Sequence, residues 1–556
     1  MSVLNKKWEI KNTTDKPVVD KICENRGLTN PDDLARFIKP DFEKDFHDPF
    51  LFKGMDRACE RIKKAIENGE RVIIYGDYDV DGISSAAILY LTLEHLGAKI
   101  SYRLPHRVND GYGLNEKYIN EFVDIGVKLV VTVDCGISNA DEITLAKEKG
   151  IDVIVTDHHR IPEKYPNDAY EVLHPGVPGS EYPFKDLTGA GVAFKLAQAL
   201  LKDKPDNELS FALLDLASLG TVADCGPIVG ENRLIVKKGL EMMPQTKWEG
   251  LRNLQEVAGV NLEKPLNTHT IGYQLAPRIN AAGRIDSPYF ALQLLIQEEK
   301  TQTAKRLAKK LENLNRKRQD MLKKALDEAE NRYLEFGQDD LIVMDYSPDW
   351  HVGIIGLIAG RLAEKYAKPA IIMHDFGDYL VGSARSPEFF NVIEAFAKFK
   401  HFFTHFGGHA QAAGFSINKD QVDNFIVEFK AYAKEKLEKC DITSSVDIDC
   451  EISAEEINWD TLEFIKSLEP FGIANQRPTF LLRQAEVEQT RVVGKDENHL
   501  SLNIRKEDKS IRGIAFNFRE HNEYARQQGN LDIVFQLEEN EWKGKSSLQL
   551  KVIDFK

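Results

Sequence analysis

The chain has only six cysteines (Cys23, Cys59, Cys135, Cys225, Cys440 and Cys450), and no two of them stand at CxxC spacing. This argues against a thiolate zinc site or a disulfide framework and points to a reducing cytoplasm. No apolar run is long enough to cross a bilayer, and the N-terminal MSVLNKKWEI lacks the apolar stretch of a signal peptide. Basic charge is in deficit, with 73 Lys and Arg against 88 Asp and Glu and a net charge of −15. A general polyanion binder is therefore not expected, and any contact with nucleic acid must come from a locally basic groove. Neither GxSxG nor the phosphate-cradling GxxxxGK[ST] occurs, so serine-nucleophile and P-loop chemistries have no foothold. Low-complexity tracts and repeats of fixed period are also missing.

What is present is an ordinary globular composition, 42% apolar and 29% charged over 556 residues, enough for several domains. The most informative stretch is RVIIYGDYDVDGISSAA, Arg71 to Ala87. An apolar run (Val72 to Tyr75) predicts a buried strand, Gly76 breaks it, and Asp77, Asp79 and Asp81 follow at alternate positions before a helical segment. Strand, acidic loop and helix place a ligand site at the carboxyl end of a sheet. Three acids so close repel one another unless a cation joins them. On its own, a solvated acidic turn explains the stretch about as well. An EF-hand does not fit, because the twelfth loop position from Asp77 is Ile88 rather than Glu.

Alternating patterns extend this unit. Strands are expected at 71–75, 99–103, 128–133 and 152–156, with helices centred on 83–96, 115–125 and 138–149, which implies a parallel sheet covered on both faces. KLVVTVDCG ends on Asp134, and DVIVTDHH ends on Asp157, His158 and His159. Three strands thus deliver acids and imidazoles to one sheet edge, and that convergence favours a metal centre over isolated structural residues. Asp224, before the Gly-Pro stop of GTVADCGP, is a fourth candidate contribution. Residues 1–55 read as an N-terminal extension lying on the next domain. The catalytic α/β domain spans 56–230 and a helical region 231–337. The latter ends in a helix from about 300 to 336 that reaches roughly 55 Å and resembles a spacer between two globular halves. Residues 300–318 of that helix hold eight Lys or Arg against one Glu, a pattern that fits a solvated face. A second α/β domain follows at 338–440, with strands at 341–345, 369–374 and 379–384. There VGSARSP and HFGGHAQAAGF offer hydroxyl, guanidinium and backbone N–H donors for phosphate, though a tight helix–strand junction accounts for them equally well. From 441 to 556 the pattern is β, and five or six strands suit an OB-like barrel, with a sandwich as the alternative. The expected fold is therefore α/β, with two α/β domains joined by a long helix and followed by the barrel.

Hard oxygen donors with one imidazole suit Mn²⁺ or Mg²⁺, and two such ions about 3.5–4 Å apart hydrolyse phosphate esters. GDYDVDG, VDCG, TDHH and GTVADCGP resemble the four successive motifs of the DHH phosphoesterase superfamily. APRINAAGRID, LNRKRQ, WHVGIIGLIAGRL, the SARS element and GGHAQAAGF are similar to its RecJ branch and the DHHA1 domain of that branch. The resemblance covers nearly the whole chain. It implies a 5′→3′ exonuclease on single-stranded DNA, acting in recombination and repair with two Mn²⁺ or Mg²⁺ ions. It further implies a monomer with no membrane attachment, working with single-stranded-DNA-binding protein and a RecQ-type helicase. By position, Asp79, Asp81, Asp134, His158 and Asp224 match the family's metal ligands, Asp134 bridging both ions, with Asp77 as a flanking acid. His159 matches the residue that faces the phosphate, and Asp157 one that orients its neighbours. Arg107, Arg278, Ser383 and Arg385 match positions along the strand's 5′ end, and Gly408, His409 and Asn475 further contacts to DNA or phosphate. Two departures stand out: Tyr75 occupies the place of a metal-binding His in DHH pyrophosphatases, and Ala474 replaces a usual Gly. Two other readings stay open, a phosphodiesterase for short or cyclic nucleotides and a DNA-binding scaffold on a dead DHH fold. The long helix and β-domain argue against the first, and the intact ligand set against the second.

Overall fold

The computed structural model describes residues 2–107, 110–202, 208–438, 440, 443–542 and 544–556. These form two compact units, Phe42–Ile442 and Met1–Asp41 together with Thr443–Lys556. No helix among the described residues is long and apolar enough to cross a membrane.

The larger unit begins with a five-stranded, wholly parallel sheet in the order Lys99–Arg103, Arg71–Gly76, Val127–Val133, Asp152–Thr156, Glu171–Leu173. The last strand is three residues long and escapes a periodicity reading. Helices Val80–His95, Glu116–Asp124 and Ala140–Glu148 fall where the pattern predicts them, and Gly189–Leu201 follows the sheet. Val80–His95 is buried along almost its whole length, which explains why its sequence is apolar all round rather than on one stripe. A second sheet orders Phe403–His409, Ala412–Asn418, Tyr379–Arg385, Ala370–Asp375 and Val343–Ser347, with one parallel pairing at its Val343–Ser347 edge. HFGGHAQAAGF is therefore a β-hairpin and not a free phosphate loop: Gly408 and His409 pair with Ala413 and Ala412 along the sheet's edge strand.

Gln302–Phe336 is a single helix of 35 residues. It is not a bare spacer. Ala304, Leu307, Ala308 and Leu311 belong to the core of the first α/β layer, whereas Ala325, Ala329 and Tyr333 pack into the core around Ile355–Tyr366. One rod thus serves two cores within one unit.

In the smaller unit a seven-stranded sheet closes on itself, because Phe480–Val493 pairs with both His499–Lys506 and Asn530–Trp542. The result is a barrel, as the OB reading expects, and not a sandwich. The N-terminal segment needs correction. Residues up to Asp41 belong to the barrel unit, and only the chain from Phe42 onward belongs to the larger one. Lys7–Asn12 instead pairs in parallel with Ser445–Glu451, and Val18 and Ile22 of helix Val18–Asn25 enter the barrel's core. KWEIKN carries the period-2 alternation of a strand, but its partner lies more than 400 residues away along the chain.

A buried ion pair anchors the start of the larger unit. Lys195 Nζ donates to Glu231 Oε1 and to the His47 carbonyl, each at 2.6 Å, and Tyr182 Oη donates to Glu231 Oε2. Lys195 and Glu231 have no exposed side-chain surface. Lys195→Met is expected to lower stability by about 3–5 kcal/mol by leaving Glu231 charged and unpaired, and adding Glu231→Leu should restore much of it. Calorimetric unfolding of the two variants tests this; equal losses would show that the unpaired charge is not the cause.

Candidate metal centre

The three acids of GDYDVDG are separated by the local fold. Asp79 is the N-cap of helix Val80–His95, its Oδ1 accepting from Gly82 N at 3.1 Å. Asp81, in the first turn, is buried and accepts from Gly189 N (2.7 Å) and Ala190 N (2.9 Å) at the start of helix Gly189–Leu201. Asp77 is buried, with Oδ1 left without a hydrogen bond. Asp134 follows the strand Val127–Val133 in a left-handed conformation (φ 57°), a conformation that concentrates at functional sites in non-glycine residues. Its Oδ1 also lacks a partner. His158 Nε2 lies 3.1 Å from that oxygen, 3.8 Å from Asp81 Oδ2 and 3.7 Å from Asp224 Oδ2, yet makes no hydrogen bond. Donor atoms converge in three overlapping groups: Asp77, Asp79 and Asp134; Asp81, His158 and Asp224; Asp134, His158 and His159. Asp134 is common to two of them.

Two glycines permit this crowding. A Cβ on Gly220 would lie 2.3 Å from Asp81 Oδ1, and one on Gly189 2.6 Å from Asp134 Oδ1. Both stand in helices that carry no ligand at that position, so no motif of acids points to them. The residues fit a hard divalent cation: oxygen donors and one imidazole, orphaned buried donor atoms, and a cradle that a methyl group would fill. Without a cation, burial and then Asp79 push Asp81 up to about 7. Burial, followed by Asp81, raises Asp224 to about 7. Asp77 and Asp134 are also raised well above the usual carboxylate range for the same two reasons, burial first and neighbouring carboxylates second.

Asp157 differs from these acids. It accepts from Ile137 N, His158 N, His159 N and His159 Nδ1. Burial would raise its pKa, but those bonds overcome that and hold it at about 2. It fixes the two histidines and has no oxygen to spare for a cation. For His159, burial works downward, but the bond to Asp157 and the surrounding carboxylates raise its pKa to about 9. Tyr112 Oη bonds the Asp134 carbonyl (3.1 Å) and lies 3.2 Å from His159 Nδ1. Tyr75 is a core residue, its hydroxyl donating to the Gly113 carbonyl.

Beside the acids lies a group of arginines. Arg107 stacks over the Tyr78 ring at 4.2 Å, between Asp77 and Asp79 in sequence, and its buried Nε has no partner. Arg385 donates to Ser383 Oγ and the Ala384 carbonyl. Arg284, which sequence reading passed over, donates to the Gly353 carbonyl. Burial, with Arg107, Arg318 and Arg385 close by, lowers its pKa to about 9. Arg318, also passed over, has a buried Nε without a partner, and burial and Arg278 lower its pKa. Arg278 joins the group but is already engaged, Nε to Glu312 Oε2 and Nη1 to the Gln274 carbonyl. Asn475, expected as a further DNA or phosphate contact, lies apart from these residues in the chain's other unit. It is 1% exposed, lies in the barrel unit, and its amide is spent on the Leu468 and Pro470 carbonyls and on Arg26.

Three family models match the chain: the DHH family N-terminal domain over residues 71–221, the DHHA1 domain over 338–435 and the RecJ OB domain over 448–554. The chain is 31% identical to the single-stranded-DNA-specific exonuclease RecJ of Haemophilus influenzae over 578 residues, covering 99% of both proteins. The chain belongs to the RecJ family. It is also 36% identical to the RecJ exonuclease of Bacillus subtilis, over 97% of this chain and 68% of that protein. Its fold is similar to that of Thermus thermophilus RecJ in complex with Mn²⁺, with a TM-score of 0.81 and 28% identity over 97% of this chain and 75% of that one. A second RecJ structure from the same organism was solved with Mg²⁺.

The crowded acids give the metal-free protein a definite pH response. Asp81 and Asp224 are pushed well above an unfolded carboxyl, to about 7. Their contribution is therefore full below the ordinary carboxyl range and lost as pH rises through about 7. His159, also raised, acts with the same sign, losing its contribution as pH rises through about 9. Thermal unfolding in EDTA should therefore show stability falling from about pH 5.5 to about pH 8.5. The stabilisation by saturating Mn²⁺ should widen over the same interval, since protons compete for the ligands. A metal-free melting temperature flat across that range would contradict the crowding.

Proposed function

We propose that the chain is a metal-dependent exonuclease that hydrolyses phosphodiester bonds of single-stranded DNA from a 5′ end, in recombination and repair. The observation that carries this reading is the adjacency of two unsatisfied clusters of opposite sign in a RecJ-family chain: convergent acids and imidazole on one side, partly buried guanidiniums on the other. The first suits cations and the second suits phosphate.

Asp77, Asp79, Asp81, Asp134, His158 and Asp224 would hold two Mn²⁺ or Mg²⁺ ions, with Asp134 shared between the two positions. Such ions supply Lewis acidity that activates water and offsets charge gathering on the phosphoryl oxygens. Asp157 keeps His159 protonated at neutral pH, so the imidazolium can donate to a phosphoryl oxygen as its charge grows. Arg107, Arg385 with Ser383, and Arg284 and Arg318 would grip the terminal phosphate by charged hydrogen bonds; Arg278 supports them from its bond with Glu312. The resemblance extends the proposal to cytoplasmic work as a monomer, together with single-stranded-DNA-binding protein and a RecQ-type helicase.

Asp134→Ala is expected to abolish hydrolysis and one or both metal-binding events, and His159→Ala to retain metal while turning over roughly 100-fold or more slowly. Calorimetric Mn²⁺ titration beside the assay separates them; loss of metal in both would remove the division of roles. Linear 5′-phosphorylated strands should be degraded and circular ones spared. Arg385→Ala should erase most of the preference for 5′-phosphate over 5′-hydroxyl, each lost charged bond being worth about 1.5–3 kcal/mol. Release of label first from the 3′ end, or efficient cutting of circles, would overturn the polarity.

A further inference from the structure

Among the described residues of the larger unit, Tyr273 is the second most exposed large hydrophobic side chain, at 72%. It is not a frayed surface ring. It stands in Thr270–Leu275, a π-helical turn that runs directly into helix Ala276–Ile285, and its ring stacks on His269 with centroids 4.6 Å apart and planes 16° from parallel. Asn267 Oδ1 fixes the start of this turn by accepting from Thr270 N. Single π-turns mark functional sites because the extra residue re-aims side chains at a cost in helix geometry.

The position of the turn says what the pair faces. Gly272, next to Tyr273, sits against Val222 (a Cβ there would lie 4.0 Å from Val222 Cγ1), and Val222 is two residues before the candidate ligand Asp224. Five residues after Tyr273 comes Arg278, whose Nη1 is bonded to the Gln274 carbonyl inside the same turn. The turn that carries the exposed ring thus lies beside the helix that leads to Asp224 and is bonded to Arg278 of the arginine group. An exposed, pre-stacked aromatic pair on such a turn fits a nucleobase.

We propose that the His269–Tyr273 pair is a stacking platform for one base of the single strand. The proposal rests on the function given above. Stacking has no hydrogen-bond code, so the platform would accept all four bases and act on strand affinity and register, not on sequence preference. Neither residue is a catalytic one, since the acids and His159 carry the chemistry.

The test uses the full-length protein in EDTA and fluorescence anisotropy with a 5′-phosphorylated single strand carrying one abasic position, moved nucleotide by nucleotide from the 5′ end. For the wild type, one position should weaken binding by roughly 5- to 100-fold, the range of a single base stack. Tyr273→Ala should weaken binding of the intact strand to a similar extent and lose nothing further on that abasic strand. Tyr273→Phe, which keeps the ring, should restore most of the affinity. With Mn²⁺, Tyr273→Ala should raise KM with little change in kcat. Equal loss on every abasic strand, or no loss on any, overturns the platform, the second outcome leaving the ring as a surface for a protein. Degradation of unmodified single strands by the wild type is read separately. If that fails while a base-dependent step persists, the exonuclease reading fails and the platform stands; if the wild type binds no single strand, both fail.

Discussion

The structure turns on electrostatic frustration at one sheet edge. Ligand atoms of the acids come within 4.8 Å of one another in each group, and charges about 5 Å apart in a region of effective dielectric near 20 repel by roughly 3 kcal/mol per pair. The fold accepts that cost at Asp77, Asp81, Asp134 and Asp224. What makes the arrangement last is that nearby arginines do not neutralise it. Each guanidinium is tethered elsewhere: Arg107 to the face of Tyr78, Arg284 to the Gly353 carbonyl, Arg385 to Ser383 and the Ala384 carbonyl, Arg278 to Glu312. Had any of them swung onto the acids, a salt bridge would have satisfied both clusters and removed the demand for cation and anion alike. Two opposite charges held short of collapse are a standing affinity for a metal and a phosphate together.

Much of this was legible in the sequence, because the parallel sheet writes each strand as a local apolar run ending in its functional residue. GDYDVDG, VDCG and TDHH each carry their own strand end, so the convergence of Asp77, Asp134 and His158 follows from strand order alone. The long helix was legible as a helix but not as a shared member of two cores, since its apolar face is the same whichever core it meets. Lys7–Asn12 and the hairpin Phe403–Asn418 were lost for opposite reasons: the first has a partner that no local pattern reveals, and the second has glycines that imitate a binding loop. Arg284 and Arg318 look like ordinary helix-face residues one at a time. Only their burial beside other guanidiniums in three dimensions distinguishes them. Gly189 and Gly220 carry no chemistry of their own and become visible only as the space that Asp134 and Asp81 require.

The arrangement also separates positioning from chemistry along the chain. Asp157 contributes no free oxygen, yet it fixes the backbone N–H groups of both histidines and the ring of one. A carboxylate held near a pKa of 2 by four donors is a poor cation ligand and a firm anchor. Of the adjacent histidines, one presents an unpartnered nitrogen to the acids and the other is held as a cation, so the sequence DHH sets an anchoring carboxylate, an unpartnered imidazole and a charged imidazole in three consecutive positions.

End-directed hydrolysis needs a fixed distance between the group that recognises the end and the group that breaks the bond. The frame supplies it through Ala276–Ile285 and Gln302–Phe336. Arg278 and Arg284 share the first helix, Arg284 is bonded across to Gly353 in the second α/β layer, and Arg278 is bonded to Glu312 on the long helix. That long helix is buried in the core of both layers, so bending it would open two hydrophobic cores at once. A flexible linker between the same layers would let the phosphate site wander relative to the acids, and bonds at varying distances from the end would be cut. With one rod common to both cores, the spacing between the arginine group and the acids is set by packing, and under the proposed function the bond presented for hydrolysis is set with it.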